Sequence, residues 1–255
     1  MFYLIGIYFK MVILTLKQKI RNFLIFLTYY SGLPALRVWF YGWRKIPLLR
    51  VIAFHEIKDS QKENFQKILV FLKKKFNIIS PADFLAGKFS QTRINLLLTF
   101  DDAFDSWQSN ALPVLRKENL SAIFFLENRG LPLAPILSQN SQRIGGHTVS
   151  HSRLTEIPYN ELIFEIRENK KQLEQAIGRE IIFFAYPFGD KQSFNQSVVE
   201  EVKKAGYQYA FTILPGFNNP KTNCYLLHRD SIDVNWNENF LKMWLLSAYD
   251  FWKKL

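Results

Sequence analysis

The stretch Leu96-Leu97-Leu98-Thr99-Phe100-Asp101-Asp102 joins the most apolar strand candidate of the chain to two adjacent carboxylates. Such a run is typical of a buried strand in a parallel sheet. Two anions at its end are costly unless a cation lies nearby. Successive side chains that leave a strand point in different directions, so one carboxylate can bind a metal while the other accepts a proton. A helix N-cap followed by a first-turn acid would produce the same Asp101-Asp102 pair.

Short apolar runs alternate with longer amphipathic stretches from Leu49 onward. This alternation is typical of an α/β domain, because helical crossovers force neighbouring strands to run parallel. About seven such units predict either a barrel related to the (β/α)-barrels or a doubly wound sheet. The predicted strands are residues 50–54, 77–79, 94–100, 122–126, 181–186, 208–212 and 225–234. The predicted helices are residues 61–75, 106–118, 159–177 and 193–205.

Polar and special residues collect where the predicted strands end. His55, the Asp101-Asp102 pair and the Pro187-Phe188 pair each follow a strand candidate. In both architectures the chemistry takes place at the carboxyl ends of the strands, where the loops converge. We therefore expect these residues at the active end of the domain.

The segment Gly145-Gly146-His147-Thr148-Val149-Ser150-His151 holds two of the four histidines of the chain. Their spacing lets both imidazoles reach one point if the segment turns helically. Together with one oxygen of Asp102 they would give three protein ligands, which leaves a position for water and substrate as a catalytic zinc requires. A divalent metal would polarise an amide carbonyl and lower the pKa of a water, with Asp101 as the base.

A third segment, Phe183-Phe184-Ala185-Tyr186-Pro187-Phe188-Gly189-Asp190, combines a strand candidate with a turn. Its proline fixes one dihedral angle and its glycine permits a tight turn, which would aim the Phe188 N–H at a developing oxyanion. Taken alone, the segment is better explained as an ordinary turn that ends a strand.

In this order, the three segments resemble the signature of the polysaccharide deacetylase family, also called the NodB-homology domain or carbohydrate esterase family four. Thr99-Phe100-Asp101-Asp102 is similar to the first motif of the family. His147-Thr148-Val149-Ser150-His151 is similar to its His-(Ser/Thr)-x-x-His motif, and Ala185-Tyr186-Pro187-Phe188-Gly189 to a variant of the third. The resemblance spans residues 49–234.

The resemblance implies a deformed (β/α) barrel of the NodB type and one divalent metal ion, with zinc expected. It also implies removal of N-acetyl groups from amino sugars of a polysaccharide or lipid-linked glycan. By the same resemblance, Asp101 is the base, Asp102, His147 and His151 are the metal ligands, and the Phe188 backbone N–H helps to hold the oxyanion.

Two positions depart from the family pattern. Many members have an arginine where this chain has Ala185, and that arginine orients the catalytic aspartate. We expect Arg229, in Leu226-Leu227-His228-Arg229, to supply the missing cation from another strand end. His228 resembles the general acid of the family, but in members with the Ala-Tyr-Pro variant this region more often resembles a Leu-Pro-Arg-Ile stretch. Arg229 would then match the arginine of that stretch. His55, at the end of the first predicted strand, competes with His228 as the general acid.

The first 50 residues carry eight Lys or Arg and no Asp or Glu, and thus most of the net charge of +11. These charges alternate with aromatic and aliphatic residues, a mixture that favours a membrane surface over nucleic acid. The longest uncharged run within these 50 residues, residues 22–36, has 15 residues and contains Pro34, whereas a spanning helix needs about 20. We predict an interfacial anchor, with one spanning helix or helices packed on the domain as alternatives. A cleaved signal peptide fits poorly, because no basic residue precedes the first apolar run and no Ala-x-Ala site follows it.

The sequence thus predicts three parts: a basic, apolar, membrane-associated segment (residues 1–48), a deacetylase domain (49–236) and a C-terminal amphipathic helix (237–255). The expected substrate is an N-acetylated glycan, and the expected location is the membrane of the cell envelope. A cytoplasmic interfacial anchor would suggest a lipid-linked precursor, and a spanning helix would place the domain outside. Helical spacing predicts that the last part packs through Phe240, Leu241, Trp244, Leu245, Ala248 and Trp252.

Two other functions compete with this interpretation. One is a catalytically inactive, deacetylase-like domain that binds glycan or scaffolds an assembly at the membrane, which Ala185 and the uncertain acid make conceivable. Because the base and all three ligands are present, this alternative is disfavoured. The other is a different metal amidohydrolase with the same ligands. Cys224 is the only cysteine, which excludes an internal disulfide.

Overall fold

The computed structural model describes residues 16, 19–246 and 250. Two compact units divide the chain: one runs from Lys45 to Trp236, and the other combines the residues up to Arg44 with those from Asn237 onward. The parts of the predicted terminal segments at residues 1–15, 17–18, 247–249 and 251–255 lie outside the described residues.

The larger unit contains a curved parallel sheet with flanking helices, so the predicted deformed (β/α) barrel is confirmed and the doubly wound sheet is wrong. Its strands are β1 (Leu49–Phe54), β2 (Asn77–Ile79), β3 (Asn95–Phe100), β4 (Ile123–Leu126), β5 (Arg143–Gly146), β6 (Phe183–Ala185), β7 (Tyr209–Phe211) and β8 (Asp230–Ser231). The strand order is β7-β6-β5-β4-β3-β1-β8, and β2 also pairs with β3. The core lies between sheet and helices because β1, β3 and β4 are buried along their whole length.

Most helices connect one strand to the next. The described helices are α1 (Lys19–Tyr30), α2 (Leu33–Trp43), α3 (Lys62–Lys75), α4 (Pro81–Leu85), α5 (Leu112–Lys117), α6 (Leu133–Gln139), α7 (Tyr159–Ile177), α8 (Gln196–Lys204) and α9 (Glu238–Leu245). Of these, α1, α2 and α9 belong to the smaller unit.

A short segment, residues 227–231, connects the two ends of the sheet. Leu227 forms a parallel bridge with Phe211 of β7, and β8 pairs with β1 through Asp230 and Ile52. A fully buried ion pair reinforces the second contact, because Arg50 Nη1 donates to Asp230 Oδ2 over 3.0 Å. Residues 227–231 therefore complete the barrel.

The structure corrects the predicted strand at 225–234. Only Asp230–Ser231 is a strand, because the chain turns at Asn223, whose side chain accepts from the Tyr225 N–H and whose carbonyl accepts from the Leu226 N–H. The helices α4 and α6 were not predicted.

Strand β5 was also missed, because it ends on two glycines, which are poor strand residues. Glycine is required at both positions because neighbouring aromatic rings lie close to the backbone. A Cβ on Gly145 would lie 2.4 Å from Phe125 Cδ1, and one on Gly146 would lie 2.1 Å from the Tyr207 hydroxyl oxygen. The paired glycines thus belong to the strand that delivers the histidine segment.

In the smaller unit, Gly32 adopts a left-handed backbone (φ 78°) between α1 and α2. No described helix is by itself long and apolar enough to cross a membrane, although α1 and α2, which meet at 54°, pass that test as a pair. Helix α9 begins at Asn237, whose side chain accepts from the Phe240 N–H. Three of its predicted packing residues are buried: Leu241, Trp244 and Leu245.

Candidate active site

The predicted site residues meet at the carboxyl ends of neighbouring strands. Asp101 and Asp102 follow β3, His147 follows β5, and residues 186–190 follow β6. The His147 N–H extends the sheet by donating to the Leu126 carbonyl over 3.0 Å. Strand order therefore brings together residues that are far apart in sequence.

Asp102, His147 and His151 converge, each with one possible ligand atom, and these atoms lie within 4.8 Å of one another. Asp102 Oδ1 is 3.3 Å from His147 Nε2 and 3.2 Å from His151 Nε2. Ligand atoms about 2.1 Å from a tetrahedral ion lie about 3.4 Å apart, so the arrangement fits a zinc-like ion. His147 Nδ1 must donate to the Ala185 carbonyl 2.8 Å away, which leaves the Nε2 lone pair for a metal.

Helix α7 holds the histidine segment in place. Asn169 Oδ1 accepts from the His147 N–H over 3.1 Å, and Glu165 accepts from the Ser150 N–H and hydroxyl over 2.9 and 2.7 Å. Glu165 and Asn169 are buried on the face of α7 that also buries Leu162. Sequence reasoning missed both residues, although two polar residues four apart on the apolar face of a helix were a usable signal.

The site is built on strained backbone. Four of the eight described non-glycine residues with positive φ lie in the three motifs, and a fifth directly follows the first motif: Asp102, Thr148, His151 and Phe188, with Ala103. Such conformations cost about 1–3 kcal/mol each and persist only where the surroundings enforce them. At His151, the N–H donates to Thr148 Oγ1 over 3.0 Å. At Asp102, the carbonyl accepts from Arg129 Nη2 over 2.9 Å, a contact that the sequence did not indicate.

Asp101 forms a bidentate ion pair with Arg229, with both N–H···O distances at 2.7 Å. The pair is buried, with 4% of Asp101 and 1% of Arg229 exposed. Arg229 is itself fixed, since its Nε donates to the Thr212 carbonyl and its Nη1 to Thr99 Oγ1. The arginine expected to replace the one missing at Ala185 therefore does contact Asp101.

This environment keeps the site carboxylates ionised. Burial alone would raise the pKa of Asp101, but the charges of Arg229, His147 and His55 and the Arg229 hydrogen bonds lower it below its ordinary value. For Asp102, burial is likewise outweighed by its contacts with the imidazoles of His147 and His151, so its pKa lies far below the ordinary value. The hydrogen bond to Asp102 raises the pKa of His151.

The two candidate general acids lie in different surroundings. His55 is exposed at the end of β1 and follows Phe54, whose carbonyl accepts from the Asp101 N–H over 3.0 Å. His228 is half-buried, with Nδ1 3.2 Å from the Leu214 carbonyl. The structure therefore brings His55, rather than His228, towards the two carboxylates.

Phe188 lies beside the candidate metal ligands. Its backbone has φ 62°, and among the described residues its N–H has no acceptor. Its ring is 51% exposed and lies 4.8 Å from the ring of His151. The Arg153 guanidinium lies 4.4 Å from the Phe188 ring and pairs with Asp190 over 2.7 Å, which anchors the turn.

Removal of the Arg229 charge is expected to destabilise the protein. Arg229→Met would leave the Asp101 charge buried and unpaired, which costs about 3–5 kcal/mol in the free energy of unfolding. Urea denaturation at neutral pH measures this loss. The loss should shrink as the pH falls, because the pair stabilises the fold only while Asp101 is ionised, and the unpaired carboxyl of the variant takes up a proton more readily.

A matched control is the double variant Arg229→Met with Asp101→Asn, which removes both charges and should recover part of the loss. Lys74→Met, at an exposed position, gives the reference loss of stability. If Arg229→Met destabilises the protein no more than Lys74→Met, the buried pair does not stabilise the fold.

Elemental analysis of protein equilibrated with zinc tests the three ligands. We expect near one zinc per chain in the wild type, little in His151→Ala, and the wild-type level in His228→Ala. Zinc affinity should fall as the pH is lowered, since the proton on His151, whose raised pKa lies above the ordinary value of about 6.5, competes with the metal. Full zinc content in His151→Ala would exclude this residue as a ligand.

Comparisons with known proteins find similar sequences and folds. The family profile described as polysaccharide deacetylase matches residues 90–210. One relative is the protein YxkH of Bacillus subtilis strain 168, which is provisionally named a polysaccharide deacetylase. Its sequence is 25% identical over an alignment of 142 residues that covers 52% of this chain and 50% of YxkH. The chain spans about half or less of the length of the curated relatives it matches.

Solved structures share the fold at low sequence identity. BC0361, a polysaccharide deacetylase from Bacillus cereus, has a TM-score of 0.68 and 21% identity over 78% of this chain and 69% of its own. The deacetylase PplD of Streptococcus pyogenes has a TM-score of 0.67 and 18% identity over 78% of this chain and 99% of its own. The solved structures show that the chain shares their fold, and the matched profile supports the resemblance of its motifs to those of the polysaccharide deacetylase family.

Proposed function

We propose that this chain is a metal-dependent hydrolase that removes N-acetyl groups from amino sugars of a polysaccharide or lipid-linked glycan. The observation that carries the proposal is the buried, ion-paired Asp101 carboxylate next to the three convergent side chains of Asp102, His147 and His151. Similarity to the polysaccharide deacetylase family supports the reaction type and an acetylated glycan as substrate. Zinc is the metal that best suits one carboxylate and two imidazoles.

In this proposal Asp102, His147 and His151 hold the divalent ion. Bound there, the ion would polarise the amide carbonyl and make a nearby water more acidic. Asp101 accepts the proton of that water. Its lowered pKa keeps it ionised at neutral pH, and each oxygen that accepts from Arg229 still has a free lone pair.

The remaining steps need one donor for the oxyanion and one acid. The water oxygen bonds to the carbonyl carbon, and the negative charge that develops on the carbonyl oxygen is stabilised by the Phe188 N–H. The C–N bond then breaks, and acetate and the free amine leave. The amine nitrogen needs a proton, and His55 is our preferred donor because it directly follows Phe54, whose carbonyl accepts from the Asp101 N–H.

Acetate release from N-acetylglucosamine oligomers, in the presence of zinc, tests the proposal. We expect Asp101→Asn to lower the rate by about 10²–10⁴-fold because the base is lost, with little change in zinc content. His151→Ala should lose both zinc and activity. A wild-type protein that binds zinc and the oligomers without releasing acetate would favour the inactive glycan-binding function instead.

Rates measured against pH separate the two candidate acids. A general acid must be protonated, so its removal should erase the fall in rate on the alkaline side. We expect this loss in His55→Ala and an unchanged profile in His228→Ala. The opposite result would make His228 the acid, acting through Nε2 while Nδ1 contacts the Leu214 carbonyl.

A further inference from the structure

The helices α1 and α2 expose an unusual amount of apolar surface. Among described residues, eleven of the sixteen exposed large hydrophobic side chains lie between residues 16 and 43. Monomeric soluble proteins rarely leave apolar patches of this size uncovered. The eleven residues are Leu16, Ile20, Phe23, Phe26, Leu27, Tyr30, Leu33, Leu36, Trp39, Phe40 and Trp43.

The exposed residues follow the period of a helix. On α1, Ile20, Phe23, Leu27 and Tyr30 are spaced by three and four residues and so share one face, whereas Ile25 is buried. On α2, an equivalent stripe is formed by Leu33, Leu36, Phe40 and Trp43. A surface helix of a soluble domain turns its apolar face inward, so these two helices present the reverse orientation.

Charge indicates what covers this surface. The first 50 residues of the chain contain eight basic and no acidic residues. Lys19 at the start of α1 and Arg44 just after α2 are both exposed. Two of the eight are paired with carboxylates, Arg37 with Asp250 and Arg50 with Asp230, so the charges that matter here are exposed ones such as Lys19 and Arg44. A surface that combines an apolar face with exposed positive charge is complementary to a bilayer with anionic lipids. A second copy of the chain would bring the same positive charges together.

The dimensions of the helices favour a position in the plane of the interface. Helix α2 has 11 residues and α1 one more, so each is about 17–18 Å long, well short of the roughly 30 Å of hydrocarbon in a bilayer. Exposed Trp39, Trp43 and Tyr30 are of the types that concentrate at the headgroup level.

We propose that α1 and α2 form a membrane-binding surface that lies in the headgroup region of an anionic phospholipid bilayer without crossing it. This inference is independent of the proposed deacetylase activity. Combined with that activity, it places the enzyme at the membrane of the cell envelope, where polymeric and lipid-linked glycans are both within reach.

Co-sedimentation with vesicles tests the proposal on the full chain, diluted from detergent to below its micelle concentration. One vesicle type is phosphatidylcholine alone, and the other contains one quarter phosphatidylglycerol. We expect at least about tenfold tighter binding to the anionic vesicles, with most of that difference lost in 0.5 M salt because the charges are screened.

The apolar face is tested by a variant that combines Phe23→Ser, Leu27→Ser, Trp39→Ser and Trp43→Ser, which should lose at least about tenfold in affinity for anionic vesicles. The matched control, Val70→Ser with Phe164→Ser, changes exposed hydrophobic residues of the larger unit and should bind like the wild type. Thermal unfolding followed by circular dichroism identifies any variant that fails to fold.

Lys19→Glu with Arg44→Glu is a second variant, which leaves the apolar face intact. It should reduce binding to the anionic vesicles and leave binding to phosphatidylcholine vesicles unchanged.

Three outcomes would overturn the proposal. The wild type could remain in the supernatant with both vesicle types, or bind them equally in low salt. Alternatively, light scattering could show a stable dimer without vesicles that the four-residue variant converts to a monomer. That last result would assign the apolar surface to a contact between two copies of the chain.

Discussion

The Asp101 carboxylate is charged and buried at the end of β3, and it is tolerated there because the Arg229 guanidinium donates two hydrogen bonds to it. Arg229 reaches this position only because residues 227–231 run from β7 to β1. The next residue, Asp230, makes a second buried ion pair with Arg50 of β1. One short segment thus supplies two opposite charges to the interior, and the same contacts complete the barrel and orient the candidate base.

Ala185, at the end of β6, does not orient Asp101 as the arginine of the family pattern does. Its side chain is too small to reach Asp101, but its carbonyl accepts from His147 Nδ1 and fixes the ring of a candidate ligand. The cation comes instead from Arg229, whose guanidinium carbon also lies 5.1 Å from the centre of the Phe125 ring. The ligand set and the base are therefore oriented by different strands.

The fold and the family resemblance could be predicted from the sequence because both depend on local signals: apolar runs, helical spacing and three compact motifs. The candidate ligands are likewise near one another in sequence or follow a recognisable strand. The supporting contacts depend on tertiary packing and could not be read in this way. Strand β5 was not predicted because it contains two glycines. These glycines are required only because Phe125 and Tyr207 pack against them in the folded protein.

The order of the site residues along the chain has a consequence for biosynthesis. A nascent chain that has emerged as far as β6 already contains Asp102, His147 and His151. The counter-charge of Asp101 is absent until Arg229 has been translated and has docked between β7 and β1. A chain released early from the ribosome would therefore carry every candidate metal ligand without the cation that orients Asp101, so its metal content alone would not report a complete site.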